Sequence, residues 1–238
     1  MELQDLPPSA SVIDITGPIQ EGMWNYEPPF PVFHRKPLPQ VPWVDTPVYC
    51  DIFEGLHSQT GTYLETPAHL LGEQSYPLDQ VPVCKLVNIP ARVLQLPGFS
   101  PPDAGRERAE RPPVTASALE AALDGDQLPP QSALLIATGW GRHWMDADYL
   151  SASPYFTTEA MEWIVDKHPF LLGTDLPRWE HLERPQNIFP LFYSADILML
   201  APLVHLEDLP SRWVRLTALP LAVTGSCCTP CRAVVTVV

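Results

Sequence analysis

The sequence predicts a single α/β domain that spans residues 1–238. A chain of this length fits one large domain better than two small ones, and its hydrophobic fraction of 45% is enough for a sizeable core. Several β-branched or aliphatic runs are bounded by glycine and proline, which is typical of strands. These runs predict strands at residues 11–15, 48–53, 60–66, 91–94, 133–138, 170–173, 213–218 and 233–238.

Predicted helices are fewer, and one of them is well marked by its capping residues. Either Thr157 or Thr158 can cap a helix that runs to about Lys167, and apolar side chains recur on one face of that helix. Residues 117–123 predict a second helix, whereas residues 185–191 predict a short helix or a loop.

Charge and composition exclude several classes of partner. The chain carries 14 basic and 28 acidic residues, so its net charge of −14 argues against binding to nucleic acid or to an anionic membrane. It has no apolar run long enough to span a bilayer, and its first residues lack the features of a signal peptide. Five cysteines without such a signal, including Cys228 and Cys231, indicate reduced structural thiols. We therefore expect a cytoplasmic protein.

The segment from Gln59 to His69 is the most informative motif. It reads Gln-Thr-Gly-Thr-Tyr-Leu-Glu-Thr-Pro-Ala-His. It resembles the pattern His-x-Gly-Thr-His-x-Asp-x-Pro-x-His of the cyclase family, which includes bacterial kynurenine formamidases and isatin hydrolases. Other parts of the chain resemble the same family, namely residues 12–19, 135–144, 172–177 and 230–233.

The resemblance implies a fold and a state of assembly. The expected fold is α/β, with a mixed β-sheet that forms a barrel-like core and with helices at the periphery. The expected assembly is a homodimer or a higher homo-oligomer, and the expected partner is a small-molecule substrate. Residues from about 95 to 131 are rich in proline and charge, so they look like a variable insertion within the single domain.

Most of the family's metal ligands are replaced in this chain. The first two histidines and the aspartate of the pattern bind a divalent metal, and here those positions carry Gln59, Tyr63 and Glu65. A neutral amide is a weak ligand, and a phenol with a pKa of about 10 must lose its proton to bind well. Two further ligand positions align with Phe189 and Ala201. We therefore expect no metal cofactor, with a divalent metal at a rearranged site as the alternative.

The catalytic residues predicted from the motif are His69, Glu65 and Tyr63. The pattern leaves His69 unchanged, and its counterpart in the family is the acid/base group. Histidine titrates near neutral pH and can pass a proton in either direction. Glu65 could orient His69 or act as a second acid/base group, and Tyr63 could donate a hydrogen bond to a developing oxyanion. Gln59 could add an amide donor to the substrate.

Three other residues are predicted to bind the substrate. Alternate side chains of a strand face the same way, so His57 would share a face with the catalytic candidates. A rearranged metal site would combine His57 with Glu65 and His69. The resemblance places Trp24 near the mouth of the pocket. Asp175 follows a buried strand, where functional side chains are common, although a carboxylate that caps a loop is the alternative.

Three functions are compatible with these residues. The first is a metal-independent enzyme that cyclises, dehydrates or isomerises a small organic substrate by acid/base proton transfer, plausibly in specialised metabolism. The second is a metal-dependent amide or lactone hydrolase, similar to an arylformamidase, with a rearranged site. The third is a catalytically inactive homologue that binds a ligand or acts as a scaffold.

Overall fold

The computed structural model describes residues 11–96, 111–210 and 212–237. The strands within these ranges are β1 (Ser11–Asp14), β2 (His34–Pro37), β3 (Asp51–Glu54), β4 (Tyr63–Glu65), β5 (Ile89–Gln95), β6 (Pro113–Val114), β7 (Ala133–Ala137), β8 (Tyr155–Phe156), β9 (Leu171–Thr174), β10 (Leu198–Ala201), β11 (Trp213–Pro220) and β12 (Cys228–Val237). The α-helices are α1 (Ala68–Leu71), α2 (Ala116–Leu123), α3 (Thr158–Asp166) and α4 (Ile188–Ser194).

The main sheet closes into a barrel of mixed strands. Its order is β12, β11, β5, β7, β9, β10 and β4, and β4 pairs back onto β12, while β1 adds to the free edge of β12. Strands β5, β7, β9 and β10 pair with one another in parallel, and every pairing that involves β4, β11 or β12 is antiparallel. This arrangement confirms the predicted mixed sheet with a barrel-like core.

Strand β4 is short but is paired on both sides. Glu65 lies opposite Met199 of β10 and opposite Cys228 of β12. Because successive side chains of a strand point to opposite faces, Leu64 packs in one core whereas Tyr63 and Glu65 point to the other face. The two neighbouring strands therefore fix the direction in which Glu65 leaves the sheet.

Two apolar cores occupy the two faces of the sheet. One contains Leu64, Leu135 and Leu216 and fills the barrel. The other lies between the sheet and the helices. Helices α2, α3 and α4 bury apolar side chains in this second core, which confirms that the helices are peripheral.

Two predicted strands differ from those observed near the motif. Residues 60–66 were expected to be one strand, but Gly61 has a φ of +71°, and only Tyr63–Glu65 pairs in the sheet. Glycine adopts a positive φ readily, and this conformation interrupts the extended chain at Gly61. Side chains therefore alternate between the two faces of the sheet only after Gly61. The strand predicted at residues 48–53 is observed as β3, which pairs with β2 in a separate exposed ribbon rather than in the barrel.

The other predicted elements are present with shifted ends. Thr157 caps α3, since its side chain accepts a hydrogen bond from the backbone N–H of Ala160. The segment predicted at 185–191 becomes helix only from Ile188 and continues to Ser194. The closing strand begins at Cys228, well before the predicted residue 233. The pairing of β12 with both β4 and β11 accounts for this longer strand.

The predicted insertion contributes to the core where the structure describes it. Residues 97–110 of the predicted 95–131 segment lie outside the described residues. Beyond them, Thr115 caps α2, and that helix buries Leu119 and Leu123. In the described parts of the chain, no helix is long and apolar enough to cross a membrane.

Candidate active site

A cavity of about 560 Å³ lies at the face of β4 that carries Tyr63 and Glu65. This volume falls in the range of small-molecule sites, which is roughly 300–1,000 Å³. Its polar lining includes Gln59, Tyr63, Glu65 and His69 on one side and Glu27, Arg178, Glu180 and His181 on the other. Aromatic rings line much of the rest, namely Tyr26, Phe30, Trp179, Phe189 and Tyr193.

Glu65 is a buried carboxylate that is surrounded by donors. Its side chain is 1% exposed. Its Oε1 accepts a hydrogen bond from the hydroxyl of Tyr193, and its Oε2 accepts one from Nε2 of Gln59 at 3.1 Å. Nδ1 of His69 lies 3.3 Å from the same Oε2. Burial raises the pKa of Glu65, and the nearby His69 and the hydroxyl, thiol and amide donors oppose that rise.

His69 is oriented by its position at the start of α1. The turn Thr66-Pro67 leads into that helix, and the backbone N–H of His69 donates to the carbonyl of Thr66 at 3.0 Å. The side chain is 41% exposed, so it joins the buried Glu65 to the cavity. A neutral His69 that donates from Nδ1 to Glu65 keeps the lone pair of Nε2. Among the described residues, Nε2 has no hydrogen-bond partner, so it can accept a proton from a ligand.

Tyr63 is held in a chain of hydroxyl groups. Its hydroxyl oxygen lies 3.1 Å from that of Tyr26, and Tyr26 donates to the carbonyl of Pro177 at 2.8 Å. Since Tyr26 has a single hydroxyl proton, Tyr63 is the donor between the two tyrosines. Burial raises the pKa of Tyr63 well above its usual value, so it stays protonated. Its proton is therefore engaged with Tyr26, and the predicted oxyanion contact requires a ligand oxygen to take over that hydrogen bond.

The side chains at the family's metal positions do not fit a divalent metal. Tyr63 keeps its proton, and Gln59 directs its amide nitrogen, a donor, toward Glu65. Both oxygens of Glu65 already accept hydrogen bonds. Phe189 lies between the rings of Trp179 and Tyr193 and offers no ligand atom. Across the described residues, no group of three or more histidine, cysteine, aspartate or glutamate side chains could hold a metal ion.

His57 does not join Glu65 and His69. Its Nε2 lies 3.3 Å from Oδ1 of Asn25, and its ring packs at 4.9 Å from that of Phe30. The turn at Gly61 breaks the strand, so the shared face that the sequence predicted for His57 does not form. The rearranged trio of His57, Glu65 and His69 is therefore not assembled in this structure.

Trp24 and Asp175 lie outside the cavity lining. Trp24 packs behind the site, with its ring 5.2 Å from Trp144 and 5.6 Å from Tyr149. Asp175 is fully buried and accepts hydrogen bonds from the backbone N–H groups of Thr138, Gly139 and Trp140. Burial raises its pKa to about 6, although the hydrogen bonds from these donors act to lower it. Asp175 therefore caps the turn after β7, which corrects its predicted place in the substrate site.

Sequence reasoning missed Arg178 and Glu27 on the opposite wall. Arg178 forms an ion pair with Glu27 and lies over the ring of Tyr26 at 5.4 Å, so it joins two loops that flank the cavity. Trp179 is buried, and its indole N–H has no partner among the described residues. No motif marks these residues, because their roles depend on loops that meet only in the folded chain.

Arg111 holds this wall in place. Its buried guanidinium donates to the carbonyls of Ser153 at 2.6 Å, Arg178 at 2.9 Å and Glu180 at 2.5 Å. A buried polar group is stable only when its hydrogen bonds are satisfied, so Arg111 fixes the backbone that presents Trp179 to the cavity. Arg111 belongs to the segment that the sequence predicted to be a variable insertion.

Comparisons with known proteins identify the family of this chain. Residues 13–181 match the model of the Cyclase family, described as "Putative cyclase". That match covers more than half of the chain, so the chain belongs to the cyclase family. The predicted resemblance is confirmed, and so is the prediction of a cyclase-family enzyme. No curated protein sequence is significantly similar to the chain.

Several solved structures share the fold. An isatin hydrolase bound to the product analogue thioisatinate superposes with a TM-score of 0.79 at 20% identity, covering 96% of this chain and 92% of its own. Isatin hydrolase A from Ralstonia solanacearum gives a TM-score of 0.77 at 21% identity, with coverage of 96% and 92%. A predicted metal-dependent hydrolase from Bacillus stearothermophilus gives 0.71 at 20% identity, with coverage of 96% and 98%. At such identities the similarity establishes the fold alone.

Proposed function

We propose that this chain is a metal-independent cyclase-family enzyme that moves protons on a small organic substrate. The reaction is a cyclisation, a dehydration or an isomerisation. The observation that carries the proposal is the pair formed by Glu65 and His69, whose Oε2 and Nδ1 lie 3.3 Å apart beside the cavity. A histidine held by a buried carboxylate is a well-established general base.

The pair supports a defined proton path. Nδ1 of His69 donates to Glu65, so Nε2 takes a proton from a C–H or O–H group of the substrate. The imidazolium that results is stabilised by the negative charge of Glu65, which itself stays ionised. The same Nε2 then returns the proton to another atom of the substrate, either a carbon or a departing hydroxyl. No oxidant, reductant or second substrate is needed for such a transfer.

Hydroxyl and amide donors replace a Lewis acid in this proposal. A substrate oxygen that gains negative charge next to Tyr63 would take the hydrogen bond now made to Tyr26. Fixed donors of this kind stabilise a developing oxyanion because they need little reorganisation during the reaction. Gln59 and Glu65 are already joined at 3.1 Å, so the donors share one network with the base.

The experiment compares purified wild-type protein with His69→Ala on a panel of compounds. The panel contains β-hydroxy ketones and enolisable ketones for proton transfer, and aryl formamides and lactones for hydrolysis. We expect turnover of a proton-transfer compound that survives chelation, and a loss of about 10² to 10⁴ in turnover for His69→Ala.

Three results would contradict the proposal. Hydrolysis that needs an added divalent metal would favour the metal-dependent amide or lactone hydrolase, which the hydrolase names of the structural neighbours support. Unchanged turnover in a folded His69→Ala variant would remove the base. An absence of turnover with retained ligand binding would favour an inactive binding homologue.

We also propose that the chain assembles as a homodimer or a higher homo-oligomer. The exposed arm, which comprises β2, β3 and the residues between them, carries Trp43 at 80% exposure and Tyr49 at 95% exposure. The same arm also exposes Leu38, Val48, Ile52 and Phe53. A two-stranded ribbon is marginally stable by itself, and exposed apolar patches mark interaction sites. Light scattering on the purified protein tests this assembly.

A further inference from the structure

The carboxylate of Glu65 is held from two sides. Gln59 and His69 both approach Oε2, at 3.1 Å and 3.3 Å. The hydroxyl of Tyr193 donates to the other oxygen, Oε1. The thiol of Cys228 lies nearby, but it donates to the backbone carbonyl of Ser58 at 3.3 Å. Rotation about the last bond of a glutamate side chain is soft, so two contacts on a single oxygen do not fix the plane of the carboxylate.

Packing fixes the position of Tyr193 independently of Glu65. Tyr193 lies in the last turn of α4 and is 2% exposed. Its ring stacks on Phe189 with centroids 6.0 Å apart, and it meets the edge of Phe192 at 5.1 Å. Such ring contacts hold an aromatic side chain in one orientation. The hydroxyl of Tyr193 is therefore a fixed donor.

The chain after Tyr193 leads into a strand that pairs with β4, the strand of Glu65. Helix α4 leads into β10, where Met199 pairs with Glu65 of β4. The rings of Tyr193 and His69 also lie close together, with centroids 6.2 Å apart. The strand that pairs with Glu65 and the tyrosine that donates to it therefore belong to one continuous segment, which runs from α4 into β10.

We infer that Tyr193 is a positioning residue that holds Glu65 Oε1 and thereby directs Glu65 Oε2 to His69 Nδ1. The inference rests on the proposed function, in which Glu65 and His69 form the proton-transferring pair. The hydroxyl of Tyr193 acts through Glu65 Oε1, while its ring lines the cavity. Its removal frees the carboxylate to turn, and His69 then loses the acceptor that selects its Nδ1–H form.

The test measures the tautomer of His69 and needs no substrate. Protein labelled with ¹⁵N-histidine is examined by NMR at pH 8, and His69→Ala assigns the resonances. We expect the Nδ1–H tautomer in the wild type and a mixture of tautomers in Tyr193→Phe. Tyr149→Phe is the matched control, because Tyr149 is also fully buried but its hydroxyl approaches the backbone oxygen of Asp175, outside the cavity.

A wild-type His69 tautomer in folded Tyr193→Phe overturns the inference. If Tyr193→Phe does not fold, the contact is tested in the wild-type protein by NMR of its tyrosine hydroxyl protons. A slowly exchanging tyrosine hydroxyl resonance that disappears in Glu65→Gln supports the contact between Tyr193 and Glu65. If no such resonance exists, the contact is absent and the inference fails.

Kinetics on a compound that the enzyme turns over provide a second readout. Tyr193→Phe should lower kcat about 10-fold to 100-fold with KM changed less than about twofold, because misplacing a catalytic group has effects of this size. In a Glu65→Gln background the same substitution should cost nothing further, since it acts through Glu65. Full additivity would mean a merely structural role. An unaltered tautomer refutes only the role of Tyr193, whereas an active His69→Ala refutes the proposed function.

Discussion

Replacement of Glu65 by glutamine removes one charge and turns one of its two acceptor oxygens into a donor nitrogen. Glutamine has the same shape, and its amide can turn so that its oxygen accepts from Gln59 and His69 while its nitrogen faces Tyr193. The variant therefore tests whether the negative charge of Glu65 supports the imidazolium of His69. The two groups lie 3.3 Å apart between Oε2 and Nδ1.

The distance sets the expected loss of activity. At 3.3 Å and an effective dielectric constant of about 20, the attraction between the two charges is about 5 kcal/mol. Solvent screens part of this attraction, because the His69 side chain is 41% exposed. We therefore expect a loss of about 3 kcal/mol of transition-state stabilisation, which lowers kcat about 100-fold.

Stability should respond differently from activity. Removing a buried charge stabilises the fold, because the cost of desolvating that charge disappears. It also destabilises the fold, because charge-assisted hydrogen bonds become weaker neutral ones. The free energy of unfolding should therefore change by less than about 2 kcal/mol at neutral pH. Burial raises the pKa of folded Glu65 above 4.5, so the folded protein holds this proton more tightly than the unfolded chain. The contribution of Glu65 to stability falls as pH rises through the folded pKa, and Glu65→Gln removes that dependence.

Steady-state kinetics and urea unfolding between pH 4 and pH 8 measure both effects. Glu207→Gln is the control, since Glu207 has a side chain only 11% exposed, pairs with Arg142 and lies outside the cavity. A folded Glu65→Gln variant with kcat within threefold of the wild type would refute the role of the charge. Equal losses of kcat in the two variants would refute its location at the active site.

Three further predictions follow from the same structure. Purified protein should contain clearly less than one equivalent of transition metal per chain, and chelation should leave Tm unchanged; stoichiometric metal whose removal abolishes activity would contradict this. Asp175→Asn should lower the free energy of unfolding by about 2 to 4 kcal/mol in urea, because the three backbone N–H bonds to Oδ2 lose their charge assistance and a donor nitrogen replaces Oδ1, which accepts from the hydroxyl of Thr138; a changed KM without lost stability would contradict the capping role. Trp43→Ser with Tyr49→Ser should convert the oligomer to monomers in light scattering, whereas an unchanged mass would exclude this arm from the interface.

Local patterns predicted the parts of the fold that depend on local physics. Aliphatic runs marked the parallel strands β5, β7 and β9, since those strands are buried on both faces, whereas β10 was not predicted. Threonine caps marked α2 and α3. The sequence predicted a strand near β3 but missed β2, and it did not reveal that the two form a separate ribbon whose strands are both exposed. Exposure is a tertiary property that strand propensity does not contain.

Within the site, residues close in sequence were predicted, whereas residues brought together by the fold were not. Glu65 and His69 are four residues apart across a short turn, so the motif alone brought them together. Tyr193 reaches Glu65 from 128 residues away, and Tyr26 reaches Tyr63 from 37 residues away. Asp175 was ambiguous because a carboxylate after a strand can cap a loop or bind a ligand. The hydrogen bonds that it accepts from the turn after β7 show that it caps this turn.

The network around Glu65 explains how a cyclase-family site could work after its metal ligands are replaced. A metal site needs deprotonated ligands around a cation. Here Gln59, Tyr193 and His69 direct donors at one carboxylate, so the arrangement of charge is reversed and the anion lies at the centre. On our proposal the compensating positive charge is the proton that His69 gains during the reaction. Stabilisation is then greatest when the imidazolium forms, and differential stabilisation of this kind is what lowers a barrier.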